Sequence, residues 1–181
     1  MKLFSLCCLM LLAVIASAQQ KDSTTFPANF IGKWKGEMQW MGSGRAPQTF
    51  TMQLRIMPTD SLNQYTWQIV YGDANNADTA NDNRPYILKP IDIAKGIWVV
   101  DERNGIVLDS YVHGNAIHGA FTVQDNTIVD NYTVEGNTMK VEFYSIKLSQ
   151  PKTSGLGTDD SPTVSNYPIK SYQVGVLKRV D

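Results

Sequence analysis

The stretch Ile106–Leu148 reads IVLDSYVH-GN-AIHGAFTVQ-DN-TIVDNYTVE-GN-TMKVEFYSIKL, with turn signals Gly114-Asn115, Asp125-Asn126 and Gly136-Asn137 spaced eleven residues apart. Gly, Asn and Asp tolerate the left-handed backbone that a two-residue hairpin loop demands, and the residues between these pairs alternate apolar and polar. The stretch therefore predicts four consecutive antiparallel strands. Two-residue loops also set a register, here Val112 opposite Ile117, Val123 opposite Ile128 and Val134 opposite Met139, all apolar pairs on one face.

The same alternation extends in both directions. Trp34, Gly36, Met38 and Trp40 share one face of a first strand, Phe50, Met52, Leu54 and Ile56 one face of a second, and Tyr65, Trp67, Ile69 and Tyr71 one face of a third. Tyr86 to Ile93 is a less regular strand in which Pro90 signals an edge or a bulge. In the last strand, Ser171 to Val180, Tyr172, Val174 and Val176 form the apolar face. Two long polar loops interrupt the series, Gly72 to Pro85 and Gln150 to Pro168. The sum is about ten strands with one apolar face each and no amphipathic helix. A nine-residue strand is roughly 30 Å long, natural for a meander that closes on itself and so leaves no edge exposed. The expectation is an all-β, up-and-down antiparallel β-barrel, with a two-sheet β-sandwich as the alternative.

Ahead of the strands, Lys2 precedes the apolar run Leu3 to Ile15, and Ala16-Ser17-Ala18 offers a signal-peptidase site before Gln19. The run is too short to span a bilayer. Residues 1–18 are thus expected to be a cleaved signal peptide, 19–28 a flexible tether and 29–181 a single barrel domain, secreted or periplasmic. Both cysteines, Cys7 and Cys8, fall in the leader, so the remainder has neither a disulfide scaffold nor thiolate chemistry. Without Lys2 the 16 Lys and Arg fall to 15, against 17 Asp and Glu. That balance argues against a nucleic-acid partner, and no basic amphipathic stretch suggests stable membrane insertion.

Phe30-Ile31-Gly32-Lys33-Trp34-Lys35-Gly36 resembles the first-strand signature of the calycin group, which comprises lipocalins, fatty-acid-binding proteins and nitrobindin-like haem barrels. Trp34-x-Gly36-Glu37, with Gly44 and Pro47 downstream, is most similar to the nitrobindin-like branch. The resemblance implies a barrel with an internal ligand pocket, with Gly32 and Trp34 in structural roles and Trp34 packed across the closed end. The haem barrels carry a ligating histidine in the final strand, and Ser171 to Val180 has none, so no cofactor is carried over.

In such a barrel the inward phase would line a site for a small, largely apolar molecule. The candidate ligand-binding residues are Tyr65, Trp67, Ile69, Tyr71, Ser110, Phe121, Asp130, Tyr132 and Phe143, with Val134 and Val141 in the same phase. Ser110 and Asp130 stand out as polar residues on the apolar face, and Lys178 shares the phase of Val176. His113 and His118 fall on the opposite face as near-diagonal neighbours, with no third metal ligand beside them. Asp73 to Asn83 is rich in oxygen ligands but lacks the EF-hand spacing. No Gly-x-Ser-x-Gly setting or cysteine nucleophile points to an enzyme. The expected function is an exported, lipocalin-like binding protein for a small apolar ligand. The alternative is a cell-envelope interaction module whose long loops contact a protein partner.

Overall fold

The computed structural model of the protein describes residues 25–73 and 82–181. The expected leader, the start of the expected tether and the centre of the Asp/Asn-rich loop lie outside the described residues. Ten strands form one closed antiparallel barrel: β1 (Gly32–Gly42), β2 (Gln48–Ile56), β3 (Tyr65–Tyr71), β4 (Asn83–Asp92), β5 (Ile97–Asp101), β6 (Val107–His113), β7 (Ala116–Val123), β8 (Asn126–Glu135), β9 (Thr138–Lys147) and β12 (Ile169–Val180). Each pairs with its neighbour in sequence, and β12 closes the ring between β9 and β1. The segment 150–168, expected to be a plain loop, carries a small exposed hairpin of β10 (Lys152–Ser154) and β11 (Val164–Asn166). Pro90 sits at a register shift between β4 and β5, as its missing N–H requires.

Two of the three predicted hairpin registers are observed, Val112 opposite Ile117 and Val134 opposite Met139. The middle one is corrected. Val123 pairs with Asn126 and Phe121 with Ile128, so the loop is Gln124-Asp125, not Asp125-Asn126. The first residue of each two-residue loop is left-handed, with φ of 63° at Gly114, 54° at Gln124 and 58° at Gly136. Gln is a poor signal for that conformation, so the sequence pointed to the Asp-Asn pair one step later. Contacts with other strands hold the observed loop. Asp125 accepts hydrogen bonds from Ser149 Oγ and, through its carbonyl, from Leu148 N–H, while Asn126 Oδ1 accepts from Lys170 Nζ at 3.0 Å.

A second correction concerns β12. Its inward phase is Gln173, Gly175 and Leu177, with Leu177 fully buried and Val176 half-exposed. Lys178 is therefore outside. The apolar outer residues of β12 have partners of their own, Tyr172 stacking on Tyr144 of β9 with 4.7 Å between ring centroids. Parity read from hydrophobicity alone was inverted there.

One end of the barrel is sealed. Trp34 is buried, its indole N–H donates to the Phe30 carbonyl at 2.8 Å, and Phe30 itself is fully buried. Arg179 lies over the Trp34 ring at 4.2 Å, and its guanidinium donates to the carbonyls of Ile31 and Asn29. Gly32 has a φ of 143°, and a side chain there would run into that guanidinium. Phe26 packs edge-on against Phe30 and Trp98, each at 5.0 Å, so the chain is docked before the end of the expected 19–28 tether. Tyr65 packs against Trp98 at 6.2 Å. Val134, Met139, Val141 and Leu177 complete the solid core.

Candidate functional site

Beyond that core, towards the end where Tyr71, Arg84, Glu102 and Val123 emerge, the barrel encloses a cavity of about 600 Å³. That volume suits a small organic molecule. Trp67, Ile69, Tyr71, Ser110, Phe121, Asp130, Tyr132 and Phe143 all line it, eight of the nine residues expected from inward parity. Tyr65 does not. It belongs to the core at the sealed end, and Val134 and Val141 are likewise core residues. Strand parity places a side chain inside without saying at what depth.

The lining is mainly aromatic. Tyr132 meets Trp67 edge to face at 5.0 Å and Phe143 at 5.8 Å, near-perpendicular arrangements that suit the ring quadrupoles. Tyr132 is 4% exposed, and the Trp67 indole N–H points to its hydroxyl. Burial, followed by the Asp130 charge, drives the Tyr132 phenol well above its ordinary range.

Asp130 lies in a row that runs across the strands, Ser110 opposite Gly119, Gly119 opposite Asp130, and Asp130 opposite Phe143. The carboxylate occupies the space that a side chain at residue 119 would fill, so a larger residue there would have to displace it. The backbone N–H groups of Gly119 and of Asp130 itself donate to it. Burial pushes its pKa up to about 6, and these two hydrogen bonds only partly oppose the shift. Ser110, beyond Gly119 in the row, is 6% exposed.

At the mouth, Arg84 stands 4.9 Å over the Tyr71 ring and pairs with Asp82 at 3.4 Å. Tyr86 hydrogen-bonds Glu102, and burial followed by the Glu102 charge raises its pKa. Burial also raises the Tyr71 phenol, with nearby Arg84 opposing.

Sequence reading missed Arg84, Tyr86, Glu102, Gly119 and Gln173 in this wall. Arg84 and Tyr86 share a parity on β4 that its irregular pattern hides, and Gln173 was lost with the inverted parity of β12. Gly119 was lost with the middle register, which would have set it opposite Tyr132.

The histidines lie elsewhere. His113 and His118 are neighbours on the outer wall with ring centroids 5.5 Å apart, and burial, then the His113 charge, depresses His118. Among the described residues no group of three or more His, Cys, Asp or Glu is arranged to hold a metal.

No family model and no curated protein matches the chain. Solved structures do. A protein of unknown function from the DUF3598 family of Nostoc punctiforme aligns with a TM-score of 0.56 at 11% identity over 84% of this chain. The chain spans 48% of that protein's length. Rv2717c from Mycobacterium tuberculosis aligns with a TM-score of 0.53 at 13% identity, over 85% of this chain and 94% of its own. At these identities the likeness concerns the fold.

Proposed function

We propose that this protein is an exported, calycin-type binding protein that holds a small, largely apolar ligand in the open half of its barrel. The observation that carries the reading is the division of the interior. One half is sealed and solid around Trp34, while the other keeps about 600 Å³ of aromatic-lined space. Apolar surface facing water is a cost that filling the core would remove, and a ligand removes it instead. The calycin assignment rests on the Gly32-x-Trp34 opening together with the barrel, and export on the apolar leader before Ala16-Ser17-Ala18. The protein is read as a binder rather than an enzyme because the wall is mainly aromatic, and Gly119 stands between the Ser110 hydroxyl and the Asp130 carboxylate in their row.

Native mass spectrometry of the protein purified from its own host tests the reading. A co-purifying small molecule, displaced when Phe121→Trp narrows the cavity, is the expected result. A bare mass, together with no binding of any apolar fluorophore by the purified protein, would overturn it.

A further inference from the structure

Asp130 has an unusual place in this wall. The carboxylate faces the cavity with two backbone N–H groups as its donors. The elements around it bring aromatic or small residues to its side: Tyr132 on β8, Trp67 on β3, Phe143 on β9, and Gly119 and Ser110 on β7 and β6. Titratable Asp109 on β6, His118 on β7 and Glu142 and Tyr144 on β9 have the opposite strand parity to Asp130, and Glu102 adds a second carboxylate to the wall at the mouth. Among the described residues, Arg84 is the one cationic side chain of the cavity wall, and its charge interacts with Asp82, Tyr71 and Tyr86 at the mouth. Among the described residues the cavity thus presents a negative group without a cationic partner, and beside it the rings of Trp67, Tyr132 and Phe143.

We infer that the ligand carries a basic nitrogen, and that Asp130 pairs with that ammonium group while the Trp67, Tyr132 and Phe143 rings surround its apolar body. The inference rests on the ligand-binding reading of the same cavity and specifies its chemistry. An ammonium supplies the counter-ion that the carboxylate lacks, and aromatic faces attract cations where a neutral or anionic head group would gain less. A ligand carboxylate would be repelled by Asp130. The position of Asp130 below the mouth means that the charged head enters first and the apolar part fills the space behind it. Burial keeps the carboxyl near a pKa of about 6, so the site is charged and ready at neutral pH and loses its charge on mild acidification.

Three naphthalene compounds of matched shape provide the test: 2-(1-naphthyl)ethylamine, 2-(1-naphthyl)ethanol and 1-naphthylacetate, titrated into the purified protein by calorimetry at pH 7 and pH 4.5. The amine is expected to bind roughly tenfold or more tightly than the alcohol at pH 7, with the acetate weakest, and to lose that advantage at pH 4.5. Asp130→Asn should remove the amine's advantage over the alcohol. If the alcohol binds as well as the amine, or if the variant binds the amine unchanged, the basic-nitrogen inference is wrong while the apolar-ligand reading stands. If none of the three compounds binds and an apolar fluorophore fails as well, both are wrong. Acidification of the unaltered protein examines the same group without a substitution, so misfolding of the variant would not protect the inference.

Discussion

Asp130 and Glu142 occupy successive rows of the same strand pair, Asp130 opposite Phe143 and Asn131 opposite Glu142, and they point to opposite faces of the wall. Outside, Glu142 accepts hydrogen bonds from Tyr172 Oη at 2.6 Å, Lys140 Nζ at 2.8 Å and Asn131 Nδ2 at 3.1 Å. Lys140 first, and then Tyr172, hold its carboxyl below the usual range. Inside, Asp130 receives two backbone N–H groups, and its pKa is raised. One residue of displacement along a strand therefore separates a carboxylate that stabilises the fold from one that weakens it. The Asp130 carboxylate faces the cavity, where the ligand proposed above would supply the partner that Glu142 finds within the fold.

The largest effect is expected at Gly119. Gly119→Val places a branched side chain where the Asp130 carboxylate now sits, and is expected to cost about 2–3 kcal/mol in denaturant unfolding at pH 7. It should also abolish binding of the naphthyl amine. A loss below about 0.5 kcal/mol would show that the cradle is not tight.

Next in size is Asp130→Asn. The folded pKa of about 6 lies above the ordinary carboxyl value of 3.8, so between these values the folded state binds the extra proton and stability falls as pH rises. The full penalty is present above pH 6 and absent below about pH 4. Removing the charge should therefore stabilise the protein by about 2 kcal/mol at pH 7, allowing for water that enters by the open mouth, and by almost nothing at pH 3.5. Equal effects at the two pH values would contradict this account of Asp130.

Glu142→Gln should have the opposite sign. Its folded pKa is depressed, so its contribution is present above the unfolded value of 4.5 and fades as pH falls through the folded one. The expected loss is about 1 kcal/mol at pH 7, shrinking in acid, read from the same unfolding curves. Smallest of all, Lys140→Ala is expected to change stability less than Glu142→Gln does, since the Lys140 side chain is exposed and Tyr172 and Asn131 still hold Glu142. A larger cost there than at Glu142 would mean that the outer cluster is organised around the lysine.

Much of this difference was legible in the chain. The ladder from Ile106 to Leu148 places Asp130 on the apolar face and both histidines on the other, because strand parity is strictly two and one misplaced charge among apolar neighbours is visible. The cradle was not legible. A register error of two residues preserves parity, so Asp130 stays inside under either loop, but only the true pairing brings Gly119 opposite it. The hydrogen bonds that choose Gln124-Asp125 come from Ser149, Leu148 and Lys170, and sequence pattern near the loop carries no trace of them.

By itself the sequence determined an all-β chain of about ten strands with one apolar face each, and the placement of Trp67, Tyr132 and Asp130 on that face, because these follow from alternation and local turn chemistry, while closure into a barrel instead of a sandwich came from the structure. Tertiary structure alone decided how deep each inward residue lies, which is why Tyr65 joins the sealed core and Tyr71 the mouth. It also decided the parity of β12, where both faces carry apolar residues and closure against β1 and β9 makes the choice. And it decided the state of the Asp130 carboxyl. Ionisation depends on the neighbours that close around a group from five different strands, and no local stretch of chain contains them.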